Sequence, residues 1–186
     1  MIVRPFFLSA SLLTITAISA QESTNPDSLN LVPNGSFEEV DGKLKRLGSI
    51  EMAKGWKSPT ATNADLFSET VANSPISAPR SQFGDQSALK GTNYAGLRWW
   101  SYQNKQPRTY LQAKLKKQLK KGQKYCVRYY VSLSDLSKYS SNELGVFVSK
   151  MLVKKDDNMS LTYIAQIPTL RTEIYGDQFS WKGVCG

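Results

Sequence analysis

Hydrophobic and polar residues alternate most clearly in residues 125–133, where every odd-numbered position is apolar. A period of two is typical of a strand with one buried face, so we expect these odd-numbered side chains to form core. The preceding residues 108–119 are ambiguous, because their leucines lie four apart, as on a helix, while part of the same set also alternates. Since a Lys-Lys-Gly-Gln turn at 120–123 joins the two segments, we predict a hairpin of two strands.

Further short apolar runs predict strands at residues 94–99, 144–148, 161–167 and 179–185. The intervening residues are rich in Gly, Ser, Pro, Asn and Asp, which is loop chemistry, and in residues 41–65 they surround a lone tryptophan. We expect that tryptophan, Trp56, to fill a core position. Six or more short strands without a convincing helix predict an all-β fold, specifically an antiparallel β-sandwich of the jelly-roll type.

The first 20 residues have the pattern of a secretory signal peptide. One cation, Arg4, precedes an apolar run that ends in small residues, and cleavage is expected after Ala20. The alternative is a membrane anchor, but the run contains four hydroxyl residues and is shorter than the roughly 20 apolar residues of a span. We therefore predict an exported chain with a signal peptide at 1–20, a flexible lead-in at 21–30, one β-sandwich domain at 31–186, and no transmembrane segment after cleavage.

Export changes the meaning of the two cysteines. In an oxidising compartment, an even pair predicts one disulfide, Cys126–Cys185, closing a loop of roughly 60 residues. The alternative is two buried free thiols.

Composition limits the possible chemistry. The 186 residues include 24 Lys and Arg, 15 Asp and Glu, and no histidine, giving a net charge of +9. The lack of histidine excludes Ser-His-Asp and Cys-His catalysis and histidine-containing zinc sites. The carboxylates considered are Glu38, Glu39, Asp135, Glu143, Asp156, Asp157 and Asp177. No two of them are placed by their pattern to act as an acid–base pair. We therefore predict a protein that binds rather than an enzyme.

Several short motifs resemble, in order, those of a known family. The chain contains LVPNGSFEE at 31–39, GWKSPT at 55–60, GTNYAGL at 91–97, LKKGQKY at 119–125 and VSLSD at 131–135. This set resembles jelly-roll carbohydrate-binding modules of the galactose-binding-like type, and more closely the N-terminal domain of secreted OmpA-family envelope proteins of the Bacteroidota. The resemblance covers roughly residues 31–149.

The resemblance implies an interaction module of the cell envelope, located in the periplasm, at the outer membrane or on the cell surface. The alternative it implies is a carbohydrate-binding module. The relatives continue into a closing strand that often bears an Asp and then into a peptidoglycan-binding domain, whereas this sequence ends at Gly186. We therefore expect a free-standing or truncated version, without peptidoglycan binding through that domain.

A structural Ca²⁺ is a further implication of the resemblance. In the sugar-binding relatives the glutamate that corresponds to Glu38 helps to hold this ion together with a carboxylate near the C-terminus, for which Asp177 is the candidate here. A hard cation needs several oxygen ligands, so Glu38 alone is not a site. Apart from this ion, we expect no cofactor.

The best ligand-binding candidates lie where a predicted strand leaves the sheet. Neighbouring side chains on a strand point to opposite faces, so at least one of Trp99 and Trp100 is displayed or covered by a loop. Aromatic rings stack on sugars and nearby polar groups bond hydroxyls, which adds Tyr102, Arg98 and Asn104. The alternative is that the long 57–90 loop buries both tryptophans.

Lysines are dense in residues 114–124. They are suited to an anionic surface, such as lipopolysaccharide, an acidic glycan or an acidic protein; alternatively they form a solvated face that guards a sheet edge. Nucleic acid is not an expected partner of an exported protein. This basic segment comprises Lys114, Lys116, Lys117, Lys120, Lys121 and Lys124.

Overall fold

The computed structural model of the chain describes residues 29–169 and 172–186, and strands dominate its regular structure. The predicted signal peptide and lead-in residues 21–28 lie outside the described residues. Within residues 31–186, which cluster as one unit, the described part has no helix with the length and apolarity needed to cross a membrane.

The strands in the described ranges pair as small antiparallel sheets. Two short 3₁₀ helices, Ile50–Met52 and Tyr102–Asn104, accompany them. The strands are β1 (Trp56–Lys57), β2 (Asp65–Ser68), β3 (Arg80–Ser81), β4 (Gly84–Asp85), β5 (Asn93–Gly96), β6 (Gln112–Ala113), β7 (Arg128–Val131), β8 (Gly145–Val146), β9 (Ile167–Pro168) and β10 (Lys182–Cys185). The pairs are β1–β6, β2–β5, β3–β4, β7–β10 and β8–β9. The all-β prediction is confirmed.

A fully buried cluster joins the first 3₁₀ helix to the start of β2. It consists of Ile50, Ala53, Ala64 and Leu66. The Ile50 N–H donates to the Ala64 carbonyl at 3.1 Å, which holds the two segments together. The half-buried Trp56 packs against the cluster, as its sequence context predicted.

The sheet β2–β5 carries apolar side chains on both of its faces. Leu66 points into the buried cluster, while its neighbour Phe67 stacks on Tyr94 with ring centroids 5.0 Å apart. Phe67 also meets the edge of Phe83, and Tyr94 meets Trp181 at 5.7 Å. Both faces of the β2–β5 strand pair are therefore covered by apolar side chains.

The predicted hairpin of residues 108–119 and 125–133 is wrong. The turn forms, with the Gln123 N–H donating to the Lys120 carbonyl at 3.2 Å, but the flanking segments pair elsewhere. Strand β6 pairs with β1, and β7 pairs with β10. Between β6 and the turn the segment is rich in exposed lysine, and of its two leucines Leu115 is half-buried and Leu119 is exposed. Residues 108–119 contain no helix either.

The core prediction for residues 125–133 is wrong for Tyr125, and the most deeply buried residues lie elsewhere. In β7 and the residue before it, Val127, Tyr129 and Val131 are half-buried and alternate with exposed residues, as the pattern predicted. Tyr125 is exposed, however, and the fully buried cluster instead lies in and around residues 41–65, which we had predicted as loop. Strand β9 occupies only the end of the predicted 161–167 strand and one residue beyond it.

Candidate functional site

The opening motif at residues 31–39 has a structural role centred on Asn34. Asn34 adopts a positive φ of 45°, and its side chain accepts the Glu39 N–H at 3.0 Å and donates to the carbonyls of Glu39 and Lys54. Its carbonyl accepts the Trp56 indole N–H at 2.9 Å. This one residue therefore closes its own turn and positions the tryptophan.

Glu38 links this opening segment to β5. Its carboxylate accepts the Thr92 N–H, the Thr92 hydroxyl and the Asn93 N–H at 3.0–3.1 Å. Gly91 has a φ of +74°, and a Cβ there would collide with the Glu38 carboxylate. This position, two residues before β5, therefore requires glycine if the carboxylate is to approach the backbone this closely.

Asp177, the second predicted calcium ligand, has its own separate partners. It accepts hydrogen bonds from the Ser180 hydroxyl and from the Phe179 and Ser180 N–H groups, which hold the pKa of Asp177 below its usual value. Around Glu38 the partners are N–H and O–H donors, whereas Ca²⁺ needs several oxygen ligands. The described residues contain no group of three or more His, Cys, Asp or Glu placed to hold a metal. The calcium site stays a prediction from the resemblance, and we derive no chemistry through it.

Exposed aromatic side chains follow the end of β5. Trp100 is 43% exposed and meets Tyr139 edge to face, with ring centroids 4.6 Å apart and planes at 70°. Tyr102 is 57% exposed. We call Trp100, Tyr102 and Tyr139 the aromatic group; Tyr139 was not among the residues singled out from the sequence, because it lies in a polar loop remote in the chain.

A tight turn holds Tyr102 outward. The Ser101 hydroxyl donates to the Gln106 carbonyl at 2.7 Å and accepts the Gln106 N–H at 3.0 Å. Between them, Gln103 and Asn104 both have φ near 52°, in the left-handed region that asparagine tolerates and glutamine disfavours. The turn therefore holds Gln103, the residue after the exposed Tyr102, in a strained conformation.

The other predicted ligand residues have different environments. Asn104 is exposed in this turn, whereas Trp99 and Arg98 are half-buried. Arg98 closes the base of the loop, because its N–H donates to the Thr109 hydroxyl at 2.8 Å and its carbonyl accepts the Thr109 N–H at 3.0 Å. The alternative that a loop buries both tryptophans is wrong for Trp100.

The partly buried carboxylate of Asp65 lies at the start of β2, opposite Gly96 and within range of the Arg98 charge. Burial raises the pKa of Asp65 above its usual value, while the hydrogen bond from the Gly48 N–H, 2.6 Å long, and the charge of Arg98 act in the opposite direction. Sequence inspection missed Asp65, since it lies in a polar stretch without a distinguishing pattern.

The basic segment presents its lysines to solvent. All six of them are exposed, while Leu115 between them is half-buried. Its backbone is anchored at one end by the Lys116 N–H, which donates to the Leu31 carbonyl at 2.8 Å, and at the turn by the Lys120 N–H, which donates to the Tyr125 hydroxyl. The lysine ammonium groups therefore face solvent from a backbone that hydrogen bonds hold at Lys116 and Lys120.

Cys126 and Cys185 are brought together. Their sulfur atoms lie 3.1 Å apart as exposed free thiols, next to a backbone pair in which Val127 and Gly186 exchange hydrogen bonds. The hydrogen bond between the thiols lowers the pKa of Cys185, which Arg128 lowers further, and raises the pKa of Cys126. The disulfide stays a prediction that this proximity favours.

Two surface cavities of the described residues lie away from the aromatic group. One, about 830 Å³, is lined by residues of the 69–82 loop. Another, about 400 Å³, lies near Asp85, Asp135 and the exposed Phe179, with the Asp85 N–H donating to the Asp135 carboxylate at 2.8 Å.

Comparisons with protein-family models, with curated proteins and with solved structures found no match to this chain. The family resemblance thus rests on the motifs quoted above, and the functional argument rests on the residues themselves.

Proposed function

We propose that this chain is an exported, non-catalytic binding module of a bacterial cell envelope, acting in the periplasm, at the outer membrane or on the cell surface. We further propose that its strands form an antiparallel β-sandwich of the jelly-roll type. The coverage of β2–β5 on both faces supports that architecture, because a layered fold places its sheets against apolar partners.

The observation that carries the proposal is the exposure of the aromatic group. Trp100 and Tyr102 are large, amphipathic and exposed side chains, and Tyr102 lies in a turn closed by hydrogen bonds between Ser101 and Gln106. Aromatic side chains are enriched at protein interfaces because they contribute large contact areas at low entropic cost. An envelope protein is therefore the partner that we propose first.

A carbohydrate is the second candidate, favoured by the edge-to-face contact of Trp100 with Tyr139. The contact with Tyr139 orients the Trp100 ring, and the exposed part of that ring remains free to stack on a sugar. In both cases the exposed basic segment adds attraction to acidic groups of the ligand.

Binding experiments with matched variants would separate these candidates. The purified chain is immobilised and exposed to solubilised envelope proteins, and in parallel tested on a glycan array. A single retained envelope protein that is lost on Trp100→Ala or Tyr102→Ala supports the first candidate, and a glycan signal lost with the same variants supports the second. Phe179→Ala is the control, since Phe179 is exposed but is not part of the aromatic group. Binding that none of these variants changes, or turnover of glycoside substrates, would contradict the proposal.

A further inference from the structure

The structure contains a second exposed apolar surface, separate from the aromatic group. It lies on the segment of residues 144–168, which we call the apolar hairpin. Its strands pair through β8 and β9, with Val146 opposite Ile167. Beyond this pair, Val148 bonds to the side chain of Gln166 instead of to the backbone of the opposite strand. The Gln166 amide oxygen accepts the Val148 N–H at 2.8 Å, and its NH₂ group donates to the Val148 carbonyl at 3.0 Å.

The other end of the hairpin is fastened to the body of the protein. The Lys155 N–H donates to the Pro59 carbonyl at 2.7 Å, and the Asp157 carbonyl accepts the Ala61 N–H at 3.0 Å. The Gln112 side chain bonds both the N–H and the carbonyl of Val153. The segment is therefore held at both ends, and what lies between is a defined surface.

Between these attachments the hairpin exposes apolar side chains. Met151 is 81% exposed and Ile164 is 87% exposed, and the rings of Phe147 and Tyr163 stack in the open with centroids 4.6 Å apart. Such a concentration of exposed apolar side chains marks an interaction surface. The exposed large apolar residues of the segment are Phe147, Val148, Met151, Leu152, Met159, Tyr163 and Ile164.

The charges favour an anionic occupant. Within residues 144–168 three lysines, at 150, 154 and 155, outnumber the two aspartates at 156 and 157, and the exposed Lys150 immediately precedes Met151 and Leu152. Lys154 has Asp156 at 3.1 Å, but both side chains are more than 70% exposed, so this pair is weak. The whole chain carries +9, so a second copy of it would bring repulsion to the surface.

We propose that the apolar hairpin inserts into the interface of a membrane that carries anionic lipids. An interfacial segment combines apolar side chains that enter the acyl boundary with lysines that remain among the headgroups. Met151, Leu152 and Ile164 supply the first and Lys150 the second. This is peripheral attachment, and it uses different side chains from the binding proposed for the aromatic group.

Vesicle sedimentation with the purified chain, after removal of the predicted signal peptide at residues 1–20, tests this proposal. Vesicles of phosphatidylcholine alone are compared with vesicles of equal parts phosphatidylcholine and phosphatidylglycerol, at low and high salt. We expect binding to the anionic vesicles that weakens with salt. The triple variant Met151→Ser, Leu152→Ser, Ile164→Ser should bind at least about tenfold more weakly, and Lys150→Gln should bind more weakly at low salt only.

Phe179→Ser is the matched control, because Phe179 is 93% exposed and lies outside the hairpin. It should bind as the unmodified chain does, and all variants should keep the same thermal midpoint because every changed side chain is exposed. Equal sedimentation with neutral and anionic vesicles would overturn the proposal, as would an unaffected triple variant or an equal loss in Phe179→Ser. A dimer that dissociates in the triple variant, without vesicle binding, would assign the surface to a second copy and also overturn it.

Discussion

Oxidation of Cys126 and Cys185 should be the largest single covalent contribution to the stability of this chain. The sulfur atoms lie 3.1 Å apart, so a bond needs only a small movement of two exposed side chains. The residues are 59 positions apart in the chain. For a loop of that size the chain-entropy model gives about 4 kcal/mol, because the crosslink restricts the unfolded chain.

That free energy is large enough to measure by two methods. For a chain of this length, 1 kcal/mol corresponds to roughly 2–4 °C in the thermal midpoint, so reduction should lower the midpoint by roughly 10 °C. Urea unfolding followed by tryptophan fluorescence should show the same loss. The double variant Cys126→Ser, Cys185→Ser should match the reduced protein and should not respond to reductant.

Thiol counting gives the result that would refute this reasoning. If the native, air-oxidised protein retains two titratable thiols, or if the double variant is as stable as the unmodified chain, the contact is a pair of free thiols. The reduced protein offers an internal check. Because the pKa of Cys185 is lowered and that of Cys126 is raised, Cys185 should be alkylated first near neutral pH.

Four further outcomes follow from the geometry. Leu66→Ala should destabilise the fold by about 3 kcal/mol in urea unfolding, since it leaves a cavity in the fully buried cluster. Glu38→Ala should cost about 1–2 kcal/mol in the same assay through the loss of its hydrogen bonds to the start of β5, while Glu39→Ala is the neighbouring control and should change little. Asp65→Asn should raise the free energy of unfolding at neutral pH, because the raised pKa of Asp65 means that folding disfavours its ionised carboxylate. In the unmodified protein this carboxyl group contributes most to stability below its unfolded pKa, and that contribution is lost as the pH rises through its folded pKa. The difference in stability between the variant and the unmodified protein should therefore vanish in acid. Tyr94 should ionise at about pH 12 in an ultraviolet titration, because its burial, more than the charges of its acidic neighbours, raises its pKa, and Tyr94→Phe should remove this late step.

Local patterns predicted elements better than partners. Alternation located β7, and the apolar end of the chain located β10, because each signal lies within a few residues. The pairing of β7 with β10, and of β6 with β1, joins segments more than fifty residues apart, and no short-range pattern encodes such contacts. The Lys-Lys-Gly-Gln turn misled the prediction, since a turn signal shows where a chain reverses but not which strands then pair.

The buried cluster escaped prediction for a different reason. Ile50, Ala53, Ala64 and Leu66 are few, scattered and surrounded by residues typical of loops, so they show no period of two or of 3.6. They become a core because a 3₁₀ turn and a strand bring them together. Strand geometry predicted only that at least one of Trp99 and Trp100 is displayed or covered by a loop. The structure ends β5 at Gly96 and exposes Trp100, which the sequence pattern did not distinguish from Trp99.

The separation between the core and the exposed surfaces makes the binding proposals testable. The fully buried cluster lies within residues 50–66, whereas the aromatic group and the apolar hairpin lie between residues 100 and 168. Substituting an exposed side chain in those surfaces removes little buried area, so its effect on folding should be small. A loss of binding without a change in thermal midpoint would then report on the surface itself. A loss of both would mean that these apolar side chains contribute to packing, and it would remove the physical basis for assigning them to a partner or a membrane.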